Sequence, residues 1–323
     1  MNIIVQKFGG TSVSTEDRRK QVAIKVKEAI ENGFKPIVVV SAMGRKGQPY
    51  ATDTLLTLID DKFKEANRNS KDLLMCCGEI ISSVVVANAL YNEGIEAVPL
   101  TGGQAGIITD DNFCEAEYIS IDIDRLLSVV REGKVPVVTG FQGITKDGYF
   151  TTLGRGGSDT TACILGNAVK AKEIEIYTDV DGIMTADPRI VEDASLIDEI
   201  TYNEVFQLAD QGAKVIHPKA VDLAKKGNIP LFIKNTLSES KGTLISNDIM
   251  CNERRYITGI TYLNNRIQVR IRLSENSNIK AYQSLLSILA KNHISLDLIN
   301  IFPAHQFFTV DKSEKENVSS ILD

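Results

Sequence analysis

The 323-residue chain is short of several residue types that organise familiar chemistries. It has only three histidines (His217, His293, His305), and its five cysteines (Cys76, Cys77, Cys114, Cys163, Cys251) form no C-x-x-C pair and do not cluster with the histidines. That spacing argues against a zinc centre and leaves reduced, mostly buried thiols as the ordinary reading. Positive charge is not in excess either: the formal net charge is -6. Nucleic acid and anionic membranes both want a basic face, so neither is expected as the main partner, although local basic pockets for a small anion remain open. Long apolar runs are missing as well. No stretch is expected to reach the roughly 20 apolar residues of a membrane span, and the opening MNIIVQKFGG meets Gly9 and Gly10 too soon for a signal-peptide core. A cytoplasmic protein is expected.

With 43% hydrophobic and 24% charged residues, the chain can fill one large core or two. Strand-like and helix-like runs alternate along residues 1–245. IIVQKF is followed by an amphipathic stretch from Thr15 to Asn32, then PIVVVS, helical stretches near 53–66 and 72–92, and IEAVPL. A helix near 122–132, VPVVTG, a glycine loop with its helix, EIEIYTD, helices near 201–210 and 217–226, and IPLFIK complete the series. The rhythm is βαβ, so an α/β domain with a mainly parallel sheet is expected. Several strands are apolar up to a polar residue at the carboxyl end, where ligands of open α/β sheets bind. Beyond residue 245 the pattern changes. ITGITYL and IQVRIRL read as two strands, followed by a helix near 278–291, strands near 295–301 and 306–310, and a charged helix, which makes a smaller α+β domain over 246–323.

Two loops carry the chemistry. KFGGTSV (7–13) leaves the first strand with Lys7, two glycines and two hydroxyls ahead of a helix. Bare backbone, a helix start and one full positive charge suit a phosphate, although the spacing is neither Walker A nor G-x-G-x-x-G and a plain strand-to-helix turn remains the alternative. GRGGSD (154–159) is the second. Arg155 can take a carboxylate through two parallel hydrogen bonds, and Gly156 and Gly157 let backbone approach closely. Asp159 beside a phosphate makes sense only next to a cation, for which Lys7 is the candidate; Ser158 or Asp159 also suits a helix N-cap. YTDVDGIMTADPR (177–189) places Thr178 and Asp179 at a strand end with Arg189 as a possible phosphate ligand, while turn formation explains ADPR equally well. Ser41 ends PIVVVS, and Lys214 follows a helix in GAKVIHP. Glu79 lies in a segment apolar enough that its carboxylate needs a partner, either a substrate ammonium or a salt bridge in the core.

Taken in order, KFGGTSV, VVVSAMG, GE at 78–79, GFQG, TTLGRGGSDTTA, YTDVDGIMTADPR and GAKVIHP make the chain resemble the aspartokinases of the amino-acid kinase family. SAMGRKGQPYATDTLL is similar to the diaminopimelate-pathway form of Gram-positive bacteria. The resemblance implies the three-layer amino-acid kinase fold and transfer of phosphate from ATP to L-aspartate, giving ADP and 4-phospho-L-aspartate. It implies that Lys7 steadies the transferring phosphoryl group with backbone donors from Gly9 and Gly10, that Asp159 holds Lys7, and that Ser41 lies near the reacting groups. Aspartate would be held by Arg155 and Ser158 on its carboxylate side and by Glu79 on its ammonium, with Thr52 and Phe141 nearby. Thr178, Asp179, Arg189 and Lys214 would line the ATP site, with Met184 near the adenine where many relatives carry tyrosine.

An ionised acceptor carboxylate needs no strong general base, so positioning and charge stabilisation suffice and a catalytic histidine is not expected. Magnesium is implied by ATP, and with no acidic ligand set in the sequence the phosphates are expected to hold most of its coordination. The C-terminal part resembles an ACT module, in which ITGITYL would be the lone opening strand of a second, incomplete module. This implies either a shortened chain or edges completed by another chain. A homo-oligomer and an end-product effector, lysine or diaminopimelate, are further implications. Two other readings stand beside this one: a sensing protein whose kinase part is inactive, and a kinase of the same fold with a different carboxylate acceptor.

Overall fold

The computed structural model describes residues 1–213, 215–247, 257–272, 279–292, 294–302 and 305–322. Two compact units divide the chain, Met1–Thr261 and Tyr262–Asp323.

The large unit begins with β1 (Ile3–Phe8), α1 (Glu16–Glu31) and β2 (Lys35–Val40), then two short helices, α2 (Thr52–Leu55) and α3 (Asp61–Ala66), and the long α4 (Arg68–Asn92). Next come β3 (Ala97–Leu100), β4 (Ile107–Thr109), β5 (Tyr118–Ile121), α5 (Asp124–Arg131), β6 (Val135–Thr139), β7 (Gln142–Ile144) and β8 (Phe150–Thr152). It continues with α6 (Gly157–Val169), β9 (Glu173–Thr178), β10 (Glu199–Ile200), α7 (Tyr202–Asp210), α8 (Pro218–Gly227), β11 (Leu231–Asn235) and β12 (Thr243–Ile245).

The main sheet runs β10-β12-β11-β9-β1-β2-β6-β3 and is parallel except at β11–β12. Strands β1, β2 and β6 are buried almost throughout, as a sheet covered on both faces requires. Alternation along β1 sorts its side chains between two cores. Ile3 and Val5 join α5, α6 and α8 on one face, whereas Phe8 packs with Val22 and Val26 of α1 and Val86 and Leu90 of α4 on the other. The result is a three-layer αβα arrangement. Lys7 has the parity of Val5 and so faces α6, which decides where its charge goes.

Two features differ from the sequence expectation. Helix α4 is long and apolar enough, by length and composition alone, to cross a membrane, so the expectation that no stretch reaches that length is corrected. It serves instead as a core helix: its inner face buries Met75, Cys76, Val86 and Leu90 together with Asp72 and Glu79. The second feature is a small mixed sheet, β5-β4-β7-β8, beyond the carboxyl ends of β6 and β3. Its strands have only three or four residues and a register shift at Ile108/Thr109, too short for alternation to register in sequence.

The small unit contains β13 (Arg266–Arg272), α9 (Ile279–Lys291), β14 (Asp297–Ile301), β15 (His305–Asp311) and α10 (Lys315–Leu322). Its antiparallel sheet has the order β13-β15-β14 and a core of Leu289, Ile294, Phe308, Val310 and Val318. ITGITYL, expected as a strand, has no regular structure. Its Ile260 N–H donates to the Thr185 carbonyl and its Thr258 hydroxyl to Glu204, so a loop and a helix take up polar groups that a strand would have spent on a sheet.

Candidate active site

The carboxyl ends of β1, β2 and β6 and the start of α6 surround a cleft of about 380 Å3. Lys7 leaves β1 on the α6 side, and its ammonium lies 2.7 Å from a carboxylate oxygen of Asp159 in the first turn of that helix. The two side chains are only 10% and 14% exposed, so solvent screens the pair weakly. The loops around the pair are packed backbone against backbone. A Cβ on Gly10 would stand 2.5 Å from the Ala42 carbonyl oxygen, and the Gly10 carbonyl accepts from the Gly44 N–H at 2.9 Å. Gly9 spends its own N–H on the Tyr177 carbonyl at 3.1 Å, so that amide is already engaged.

Close approach also places Glu79. A Cβ on Gly78 would meet the Ala42 Cβ at 2.8 Å, so α4 lies tight against the loop after β2. That contact brings Glu79 Oε1 within 3.1 Å of the Ala42 N–H. The other oxygen, Oε2, is buried and has no hydrogen-bond partner. Burial pushes the Glu79 carboxyl up to about 8, with the Ala42 N–H acting in the opposite sense. Among the described residues no cation pairs with it, so the core salt bridge open on sequence grounds is not found. A buried carboxyl group on the wall of a cleft, with one oxygen left without a donor, suits an incoming ammonium.

The far wall is held by a left-handed residue and a buried acid. Phe141 has φ 69°, and its backbone is fixed by the Thr161 hydroxyl, which accepts from its N–H, and by Leu153, whose N–H donates to its carbonyl. Its ring packs where a Cβ on Gly157 would lie, and Ser158 packs on Gly140 in the same way. Asp72, fully buried in α4, accepts from the N–H of Cys114, the N–H of Thr152 and the Thr152 hydroxyl. It therefore anchors the strand that leads directly into GRGGSD. His217 caps α8, and its Cβ lies 2.2 Å from where a Cβ on Gly156 would be. Burial is the main cause of its lowered pKa, Lys219 and Arg155 adding to it and Asp159 opposing.

Of the residues singled out in the sequence, Lys7, Gly10, Ser41, Thr52, Glu79, Phe141, Ser158 and Asp159 line this cleft. Arg155 is exposed beside it and is not part of the lining. Thr178 ends β9, and Asp179, Met184 and Arg189 lie on the loop after it, all four outside the lining. There the Thr178 hydroxyl accepts from the Val180 N–H, and half-buried Met184 bridges to Leu196. Arg189 grips Asp187 through Nε and Nη2 at 3.0 and 2.7 Å. Lys214 falls outside the described residues. Sequence reasoning passed over Arg45, Lys46 and Asp53, which also line the cleft. The signal was there: two adjacent basic residues between glycines, in GRKG, on the loop that follows β2. No group of three or more acidic, histidine or cysteine side chains among the described residues is placed to hold a metal ion.

Residues 2–235 match the model of the amino acid kinase family. Aspartokinase 1 of Bacillus subtilis is 44% identical over all of this chain and 81% of its own length. Among solved structures, aspartokinase III of E. coli in complex with lysine and aspartate superposes with a TM-score of 0.79 at 26% identity, covering 99% of this chain and 84% of that one. The same E. coli enzyme in complex with aspartate and ADP gives 0.69 at 26% identity, with 96% and 78% covered.

Proposed function

We propose, for a chain that belongs to the amino acid kinase family and within it to the aspartokinases, that the cleft transfers the γ-phosphoryl group of ATP to the side-chain carboxylate of L-aspartate. A carboxylate oxygen of aspartate bonds to the γ-phosphorus, the bond to the β–γ bridging oxygen breaks, and ADP leaves with that electron pair. The products are 4-phospho-L-aspartate and ADP. No proton has to move, because the acceptor is ionised at neutral pH. What remains is positioning and charge stabilisation.

The observation that carries this reading is the unpartnered Oε2 of buried Glu79 in the same cleft as the Lys7–Asp159 pair. Glu79 takes the substrate ammonium. Lys7, fixed by Asp159, meets the charge that builds on the phosphoryl oxygens. Ser158 and Arg155 hold the acceptor's carboxylate end, with Thr52, Phe141 and Ser41 shaping the space. Thr178, Asp179, Met184 and Arg189 receive the nucleotide, and Gly10 admits its phosphates. Magnesium enters with ATP as part of the substrate, held chiefly by phosphate oxygens; among the described residues no ligand cluster competes for it. The reaction belongs to the cytoplasm and supplies an activated aspartate for amino-acid biosynthesis of the lysine and diaminopimelate type. The small ACT-like unit is the place for feedback by such an end product in a homo-oligomer, a role supported by the lysine-bound E. coli relative.

Incubation with ATP, magnesium and aspartate is expected to give an acyl phosphate that hydroxylamine traps as the hydroxamate. Acetylglutamate in place of aspartate is expected to give none. Trapping with acetylglutamate but not aspartate, or with neither, overturns the reading.

A further inference from the structure

The loop after β2 reaches across to the loop after β9. Arg45 Nη2 lies 2.5 Å from Asp179 Oδ2, joining residues 134 apart in sequence. Arg45 lines the cleft, and both partners are exposed, at 70% and 45% for the two side chains. An exposed pair of this kind is held weakly and is easily exchanged for a better partner.

The loop backbone, by contrast, is pinned. The Gly44 N–H donates to the Gly10 carbonyl, the Arg45 N–H to Gln48 Oε1 at 2.7 Å, and the Gly47 N–H to the Thr54 hydroxyl at 3.0 Å. Only the long guanidinium arm has room to change partners, by rotation about its side-chain bonds. The cations lining the cleft are Lys7, Arg45 and Lys46, and Lys7 is already committed to Asp159. A triphosphate brings more negative charge than one ammonium answers, and a planar guanidinium matches phosphate oxygens two at a time.

We infer that Arg45 is a phosphate-contacting residue for the terminal phosphates of ATP, held on Asp179 until the nucleotide arrives. Resting on the aspartokinase reading of the cleft, this exchange also orients the nucleotide. The freed Asp179 carboxylate repels phosphates and accepts hydrogen bonds from sugar hydroxyls, so the nucleoside lies over the end of β9 and the phosphates point toward Arg45 and Lys7.

Calorimetry on the full chain with ADP and with AMP tests this, alongside the KM for ATP. Arg45→Ala is expected to weaken ADP about tenfold and to raise the KM for ATP by a similar factor, leaving AMP and aspartate nearly unchanged. Arg45→Lys is expected to fall between, since it keeps the charge and loses the fork, and the difference shrinks in high salt. Thermal melting of both variants should match the parent, because the side chain is exposed. ADP weakened no more than AMP overturns the inference. So does tighter ADP binding in Arg45→Ala, which would make Arg45 a blocking group. A parent chain that binds ADP but forms no hydroxamate sinks the proposed reaction while the Arg45 comparison still reads. A parent that binds no ADP overturns both.

Discussion

Two ion pairs bear on the cleft, and they are built differently. Lys7 and Asp159 project from a central strand and the first turn of a helix, nearly out of solvent; Arg45 and Asp179 project from two loops and are largely in it. The same contrast holds for the groups around them. Glu79 and Ser158 on their helices, and Phe141 on the tight bend between β6 and β7, are seated by glycine contacts and backbone hydrogen bonds, whereas Arg189 closes on Asp187 within one loop. One half of the cleft is set before any ligand enters. The other half keeps its arginines on carboxylates, where a polyphosphate can compete for them. A small acceptor that must meet the phosphorus in line gains most from a rigid seat, and a large charged donor can afford to organise its own contacts.

The harshest test of the contrast is removal of the buried cation. Lys7→Ala is expected to lower kcat about 10^3-fold, in the range found for losing one pre-aimed donor to a developing charge. It also leaves Asp159 without its partner in a nearly dry site, so the melting temperature falls. In the double variant Lys7→Ala/Asp159→Ala the melting temperature is expected to recover and the activity is not. Steady-state kinetics with hydroxamate detection and thermal melting read both effects. A Lys7→Ala enzyme with unchanged kcat removes the distinction between the two halves.

The seated half was also the more legible one in sequence. The βαβ rhythm and the glycines that end the first strand put Lys7 at a carboxyl end, and the cost of a bare carboxylate near phosphate pointed to Asp159 as its partner; the two side chains do meet. Such arguments work because they use local pattern and charge balance. Asp72 escaped them, since its three donors come from Cys114 and Thr152, far along the chain, and a buried aspartate in a helix looks like any polar residue until the second sheet is known. That sheet was hidden by the shortness of its strands. Arg45 escaped for the opposite reason: on an exposed loop no periodicity constrains a side chain, and only coordinates reveal that it crosses to Asp179. ITGITYL misled because a short run of β-branched and aromatic residues reads as a strand whether or not a neighbour exists to pair with it.

Glu79 sharpens the comparison from the acceptor side. Glu79→Gln keeps the shape and loses the charge, and is expected to raise the KM for aspartate ~100-fold with the KM for ATP unchanged. Because burial holds the carboxyl up to about 8, the free parent enzyme is mostly protonated there at neutral pH. Its KM for aspartate is then expected to fall about tenfold per pH unit as pH rises toward 8 and to level off above. Glu79→Gln should be flat over that range. Stability has the opposite sign. The folded-state pKa is raised from the usual 4.5, so the folded protein keeps a proton that the unfolded chain sheds. This contribution is full below about 4.5 and is lost as pH rises through about 8. Above pH 8, therefore, Glu79→Gln is expected to melt higher than the parent, and near pH 5 the two should coincide. A pH-independent KM for aspartate in the parent would show that Glu79 does not meet the ammonium.

The smallest expected effect compares one glycine from each half. Gly156 and Gly47 both have left-handed backbone, at φ 71° and 92°, so alanine at either is strained by about 1 kcal/mol. They differ in what surrounds the added methyl. At Gly47 nothing lies within 4 Å, and the strain is the whole cost. At Gly156 the methyl would stand 2.2 Å from the Cβ of His217, a contact with the N-cap of α8 that the long end of a flexible side chain cannot relieve. Overpacking of that kind adds about 1–3 kcal/mol. Denaturant unfolding is therefore expected to rank Gly156→Ala below Gly47→Ala by at least about 1 kcal/mol. The displaced start of α6 should also raise the KM for aspartate, since Ser158 and Asp159 move with it, while Gly47→Ala leaves that constant alone and affects only ATP. Equal costs at the two positions would mean that the loop before α6 yields as readily as the one after β2, and the acceptor seat would lose its claim to rigidity.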